Sequence, residues 1–364
     1  MLHIALFIPS LDVGGVEKYL VAFANDLQQK GYRVDFVICR SGGLLESGLS
    51  KDVTKVNLGN IRLRNAFFPL RNYLKRNVPD VFISCADFPN FVSVPAVLSL
   101  RKRPKLIISK QAYENLDDGS IGFPVRKKRW LMKVLYPFAD KIYAVSGGIY
   151  DFLVHELNIP QEKVTILNNP VSLNNLYAAA NQPVDIALPD KYIVFIGRFS
   201  RVKNIPLLLR AFDRISLPDM ELVLVGDGSE FGRIKQLAAA CKKAPFIHFT
   251  GGLSNPYPIL KNAQALVSCS YSEGFPTVVL EALAFGKTVI ATPTKGSLEI
   301  LGTQFGKYVS AGFEDEKAFA QLVEEAVAAP YPAGLLMREA QKHDLAPAIS
   351  LLENIISEVY RNGK

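Results

Sequence analysis

The chain has 364 residues, of which 49% are hydrophobic and 21% charged, and it carries a formal net charge of +8. That length exceeds one ordinary core and suits two α/β domains, and the composition excludes a disordered chain. Its four cysteines (Cys39, Cys85, Cys241, Cys269) are far apart in or near apolar runs, the pattern of buried free thiols rather than of disulfides or metal ligands.

The first element is a strand over residues 2–8. This stretch has no basic leader and no small-residue cleavage site, so it does not read as a secretory signal. Apolar, β-branched runs recur at 34–39, 81–84, 106–109, 142–145 and 164–167, and again at 192–196, 221–225, 246–249, 265–269 and 288–291. Helical periodicity lies between them, clearest at 17–29, 206–215 and 277–285, and an amphipathic helix is expected at 349–360, after Pro347. Uninterrupted apolar strands alternating with helices predict parallel sheets covered on both faces. The alternation runs twice and breaks at 174–188, where Asn-Asn, Ala-Ala-Ala-Asn-Gln-Pro and Leu-Pro interrupt it. The expected fold is therefore α/β with two Rossmann-like parallel-sheet domains. The first covers 1–173, a linker 174–190, the second 191–345, and a terminal helix over 346–364 returns to the first. Open parallel sheets bind ligands at strand carboxyl ends, so two facing sheets predict an interdomain cleft.

The charge is unevenly placed. Residues 1–173 hold 23 Lys and Arg against 15 Asp and Glu, whereas 174–364 hold 19 against 19. Basic residues interleave with apolar ones around Arg62, Arg64, Arg71, Lys75 and Arg76, and cluster again at 101–105 and 126–129, beside Trp130. Basic amphipathic segments favour anionic bilayers by about 1 kcal/mol per cation near the surface. The alternative is a helix packed inward beneath a solvated basic face. No nucleic-acid recognition motif accompanies the charge. With no run near the ~20 apolar residues of a membrane span, a cytoplasmic protein is expected, peripheral on the cytoplasmic membrane face if these segments bind lipid.

Three segments carry chemistry. Ser270-Tyr271-Ser272-Glu273-Gly274-Phe275-Pro276-Thr277-Val278-Val279-Leu280-Glu281 follows a strand and opens a helix, with Pro276 near its first turn. Unpaired N–H groups and the helix dipole there suit a diphosphate. Thr277 and Glu281 share a helix face, from which Glu281 can accept hydrogen bonds from vicinal hydroxyls such as those of a ribose. The second segment is Gly197-Arg198-Phe199-Ser200-Arg201-Val202-Lys203-Asn204. The third, Gly14-Gly15-Val16-Glu17, lets a phosphate or sugar approach the backbone, although glycine turns of this kind also serve a purely structural purpose.

Glu273 and Glu281, with Gly-Phe-Pro between, resemble the Glu-x7-Glu motif of retaining GT-B glycosyltransferases, and the chain is similar to glycosyltransferase family 4 over nearly its whole length. The second segment resembles the family's Gly-Arg-x(3–4)-Lys-Gly, with Asn204 where glycine is common. The third resembles its Gly-Gly-x-Glu signature. The resemblance implies transfer of a hexose or N-acetylhexosamine from a nucleotide diphosphate sugar, UDP-linked, to a lipid-linked or membrane-associated glycan acceptor. Arg198, Lys203 and Glu273 would be catalytic, the two cations stabilising the departing diphosphate. With no Asp-x-Asp pair to hold an ion, neither metal nor cofactor is expected. Donor contacts would come from Gly14, Gly15, Gly226, Leu253, Gly274, Phe275, Pro276, Thr277, Val278 and Glu281. Glu17, Lys110 and Tyr113 would lie on the acceptor side. Here the chain departs from the family, carrying Lys110-Gln111-Ala112-Tyr113-Glu114-Asn115 where many members have a His or an Arg-Asn pair. Two other readings stay open: an epimerase or hydrolase of the same fold, and a non-catalytic module that binds membrane or nucleic acid.

Overall fold

In the computed structural model, which describes residues 1–12, 14–113, 124–183 and 186–361, the chain divides into two units. The first comprises Met1–Tyr113, Pro124–Pro170 and the helix Leu345–Arg361; the second is Val171–Asp344.

The first unit is built on strands β1 (His3–Phe7), β2 (Arg33–Ile38), β3 (Thr54–Asn57), β4 (Val81–Cys85), β5 (Lys105–Lys110), β6 (Lys141–Ala144) and β7 (Val164–Ile166). They form one parallel sheet in the order β3-β2-β1-β4-β5-β6-β7. Strands β1 and β4 are buried along their whole length, which is why their sequences run apolar without alternation. Strand β3 is different: Thr-Lys-Val-Asn lies largely exposed at the sheet edge. With no apolar run to mark it, it is absent from the sequence expectation.

Helices α1 (Gly15–Gln29), α2 (Phe67–Asn77), α3 (Asp87–Leu98), α4 (Val125–Leu135) and α5 (Gly147–Asp151) connect these strands. The chain moves one way from β1 to β3 and the other way from β4 onward, so right-handed crossovers place α1 on one face and α2, α3 and α4 on the other. Helix α3 packs against both α2 and α4. The terminal helix Leu345–Arg361 packs on α1 and buries Ile349, Leu352, Ile355, Ile356 and Val359. Two ion pairs pin it, Lys30 Nζ to Glu353 Oε2 at 2.6 Å and Lys141 Nζ to Glu358 Oε1 at 2.8 Å.

The second unit starts earlier than the sequence suggests. The stretch expected to link the domains opens inside helix α6 (Leu173–Ala179), whose Leu173 and Leu176 are buried. Five parallel strands follow: β8 (Tyr192–Ile196), β9 (Glu221–Val225), β10 (Ile247–Gly251), β11 (Ala265–Ser268) and β12 (Thr288–Ala291), in the order β10-β9-β8-β11-β12. Around them run α7 (Ile205–Phe212), α8 (Phe231–Ala239), α9 (Tyr257–Asn262), α10 (Thr277–Ala284), α11 (Lys295–Leu301), α12 (Glu316–Ala328) and α13 (Ala333–Gln341). Its core joins Ile193, Phe195, Leu207, Leu224, Val267, Ile290 and Phe319. Among the described residues no helix is long and apolar enough to cross a membrane.

Candidate functional site

In the second unit the chain passes from β8 to β9 to β10, then returns to add β11 and β12 on the other side of β8. That reversal opens a crevice between the carboxyl ends of β8 and β11, the place where an open parallel sheet binds ligands. The loops leaving these strands carry two of the three sequence segments.

The β8 loop is held rigidly. Gly197 N donates to Val225 O at 3.0 Å and Phe199 N to Asp227 O at 2.9 Å. The buried Phe199 ring packs on Phe195, Phe231 and Phe249, with centroids 6.0, 5.5 and 6.2 Å away. Arg198, between these anchors, is exposed and has no carboxylate partner among the described residues. A short turn, Arg201–Lys203, then ends at Asn204 with φ 46° and ψ 38°. This is left-handed backbone, which asparagine tolerates best after glycine. The Asn204 side chain also donates to Phe313 O at 2.9 Å. Its replacement of the family's glycine therefore keeps the conformation.

Lys203 reaches across the crevice. Its Nζ lies 2.6 Å from Glu273 Oε1, and Ser270 Oγ donates to the same oxygen at 2.6 Å. The two loops are also joined by Tyr271 N to Val202 O at 2.8 Å and by the Cys269 thiol to Lys203 O at 3.1 Å. Burial pushes that thiol up to about 12, so it stays protonated and able to donate.

Beyond Glu273, the buried Gly274-Phe275-Pro276 leads into α10, whose N-terminus has no side-chain cap. The first N–H groups of the helix are thus available to an anion. Glu281 is buried one turn into α10 and accepts from Tyr257 OH of α9 at 3.0 Å. Helix α11 closes on the loop through Gly296: a Cβ there would lie 2.7 Å from Gly274 O and 2.9 Å from Glu273 O. The Phe275 ring packs on His343, 5.4 Å between centroids, and burial lowers this imidazole from its ordinary value.

Gly226 is where the loops of β8, β9 and β10 meet. Its φ is +145°, its N–H donates to Gly251 O at 2.9 Å, and a Cβ would come within 1.9 Å of Gly197 O. Leu253, just beyond β10, is half-buried. The carboxyl-end loops of the sheet thus form one connected rim. Among the described residues, no three His, Cys, Asp or Glu converge as a metal-binding group.

The first unit holds the remaining predicted residues. Gly14 caps α1 in extended backbone, and a Cβ on it would meet only the flexible end of Glu17, 2.2 Å from Oε2. Gly15 is the first residue of α1. Lys110 is not open to an acceptor. It is fully buried, bonded to Asp87 Oδ2 at 2.9 Å and to the Ala112 carbonyl. Asp87 also takes Lys128 Nζ at 3.0 Å and Tyr136 OH at 2.7 Å. Burial alone would raise its carboxyl, but these two cations and the hydrogen bonds outweigh that and hold it well below the usual carboxylate range. The Tyr113 ring packs at a tilt against Phe152, 5.6 Å between centroids, and its hydroxyl donates to Glu156. Glu114 and Asn115 lie outside the described residues. Sequence reasoning missed Ser270 and Tyr257 in the second unit. In the first it missed a chain from Asn169 through Gln111 to Tyr19, with bonds of 3.1 and 2.7 Å.

Family models match both halves: residues 179–343 match "Glycosyl transferases group 1" and residues 13–175 match "Glycosyltransferase Family 4". The chain is 27% identical over 331 residues to the N-acetylgalactosamine-N,N'-diacetylbacillosaminyl-diphospho-undecaprenol 4-alpha-N-acetylgalactosaminyltransferase of Campylobacter jejuni, covering 86% of this chain and 88% of that one. It is 22% identical to the lipopolysaccharide 1,6-galactosyltransferase of Salmonella typhimurium, covering 77% and 76%. Among solved structures it superposes on an Anabaena protein in complex with UDP and glucose with a TM-score of 0.80, at 17% identity over 98% and 100% of the two chains. It superposes on sucrose-phosphate synthase of Thermosynechococcus elongatus with a TM-score of 0.81, also at 17% identity and with both chains fully covered.

Proposed function

We propose that this chain, which belongs to glycosyltransferase family 4 and has the GT-B fold of two parallel-sheet units, transfers a hexose or N-acetylhexosamine from a UDP-sugar to a lipid-linked glycan during surface polysaccharide or oligosaccharide synthesis. The observation that carries the donor half of this reading is the Lys203–Glu273 contact of 2.6 Å at the β8/β11 crevice, four residues before the uncapped start of α10. An ammonium group, the exposed Arg198 and free helix N–H groups form an environment for a diphosphate. The acceptor half draws on the relatives, whose names specify diphospho-undecaprenol and lipopolysaccharide.

In the proposed reaction the bond between the anomeric carbon and the diphosphate oxygen breaks, and its electron pair leaves on that oxygen. Lys203 and Arg198 stabilise the resulting charge without a metal, and Glu273 orients the sugar hydroxyls. Glu281, held by Tyr257, receives the ribose hydroxyls. Gly14 and Gly15 offer the α1 N–H groups to an anion. The acceptor hydroxyl attacks from the face the diphosphate leaves, and its proton passes to the leaving oxygen. No enzyme base is needed, and the anomeric configuration is retained.

The test is incubation with a panel of UDP-sugars and lipid-linked glycan acceptors, with the product anomer read by NMR. A glycoside of retained configuration is the expected product. Donor conversion without a glycoside would replace this reading with an epimerase or hydrolase, and donor binding without turnover would replace it with a binding module.

A further inference from the structure

In the proposed reaction Glu273 orients the hydroxyls of the donor sugar, so whatever aims its carboxylate bears on the transfer. Its backbone is fixed from two sides. Helix α11 brings Gly296 so close that a Cβ there would lie 2.9 Å from Glu273 O and 2.7 Å from Gly274 O. On the β8 side, Tyr271 N donates to Val202 O at 2.8 Å. A backbone held in this way leaves only the side-chain torsions of Glu273 to be set, and its terminal torsion is broad by nature.

Two donors meet the carboxylate, and both take the same oxygen. Lys203 Nζ and Ser270 Oγ each lie 2.6 Å from Oε1, whereas no hydrogen bond among the described residues reaches Oε2. The donors differ in kind. Lys203 is a flexible chain from the opposite loop, and a diphosphate would compete for its ammonium. Ser270 is buried on the same loop as Glu273, and its hydroxyl gives its one proton to Oε1. Its carbonyl is held in turn from β12. The fully buried Thr292 donates to Ser270 O through Oγ1, and Thr292 N donates to Ser268 O at 2.9 Å. The serine hydroxyl is thus tied to the sheet independently of Lys203.

We infer that Ser270 is a positioning residue of the transfer: it holds Glu273 Oε1 once Lys203 has turned to the diphosphate, and so keeps Oε2 presented to the hydroxyls of the donor sugar. The inference rests on the transferase reading, since it needs a sugar diphosphate in the crevice, and it adds Ser270 to the residues that handle the donor. Ser270 touches no reacting atom and acts through Glu273 alone. Removing its hydroxyl should therefore impair handling of the sugar and leave the nucleotide untouched. A serine that only stiffened the loop would behave otherwise, because its loss would also disturb the first N–H groups of α10, which face the diphosphate.

The test is a double-mutant cycle on full-length protein, made of wild type, S270A, E273A and S270A/E273A, each shown by its melt to be folded. Transfer is assayed with UDP-glucose, UDP-galactose and their N-acetylhexosamine counterparts, and UDP alone is titrated by calorimetry. A lost hydrogen bond to a charged group predicts that S270A transfers about ten- to hundredfold more slowly, while it still binds UDP within about twofold of wild type. In the E273A background the same substitution should change the rate by less than about twofold, because the group it positions is gone. With wild type active, three results would overturn the inference alone: S270A transferring at the wild-type rate, S270A losing UDP affinity in step with its rate, or the two losses multiplying in the double variant. A wild type that binds no UDP and transfers sugar from none of these donors would instead overturn the transferase reading, and this inference with it.

Discussion

Lys203 and Glu273 are 70 positions apart in sequence, yet Nζ and Oε1 lie 2.6 Å apart across the crevice between β8 and β11. Ser270 Oγ donates to the same Glu273 oxygen, so the carboxylate keeps a hydrogen bond when the ammonium leaves it. Lys203 can therefore exchange a carboxylate oxygen for a phosphate oxygen at little cost. Lys203→Ala should lower kcat by about 10²–10³-fold and move Tm by no more than a few degrees. Steady-state assays beside thermal melts check both halves of that statement.

Tyr257 holds Glu281 by one hydrogen bond of 3.0 Å. Tyr257→Phe removes it and leaves the carboxylate in place but less well aimed. One hydrogen bond of this kind is worth about 1–2 kcal/mol, so the donor KM should rise about five- to thirtyfold. The value of kcat should change by less than about twofold, since the bond serves ground state and transition state alike. Initial-rate kinetics with varied donor tests the split. A fall in kcat with unchanged KM would place Tyr257 in the chemical step instead.

Three glycines should respond differently to alanine. At Gly226 the backbone is left-handed and the added Cβ meets Gly197 O at 1.9 Å; at Gly296 it meets the Gly274 and Glu273 carbonyls. Neither obstacle is the end of a flexible side chain. Gly226→Ala should destabilise by more than about 1 kcal/mol, and Gly296→Ala should depress activity by shifting the Glu273 loop. Gly14→Ala meets only the Glu17 side chain and should fold normally. Denaturant melts of the three variants give the ranking.

Asp87 links stability to acid. Its folded carboxyl is held below the unfolded value of about 3.9, against the cost of burial, by Lys110 and Lys128. A depressed acid contributes stability that is present above the unfolded value and is lost as pH falls through the folded one. Tm should therefore drop as pH goes below about 4. Asp87→Asn should cost about 3–5 kcal/mol at pH 7, because it strands the buried Lys110 ammonium, and should flatten that acid limb.

The parallel sheets were legible because β1, β4, β8 and β11 are buried and so read as unbroken apolar runs. Strand β3 was not, since an exposed edge imposes no such run. Arg198, Lys203, Glu273 and Glu281 were legible as motif positions, each fixed by local spacing after a strand. Their partners were not. Ser270 and Tyr257 matter only once the loops of β11 and the helix α9 are placed in space. Lys110 misled for the same reason: nothing in its own segment shows that Asp87, 23 positions earlier, consumes its charge. Asn204 departs from the family's glycine in residue type alone, since its backbone keeps the left-handed conformation, which the sequence does not show.

The most direct measurement is calorimetric titration of UDP into wild type, Lys203→Ala and Glu281→Ala, each shown by its melt to be folded. One nucleotide per chain should bind wild type, with affinity about tenfold or more weaker in each variant, through loss of a phosphate contact in one and a ribose contact in the other. Wild-type affinity in both variants would contradict a donor site built on these two side chains.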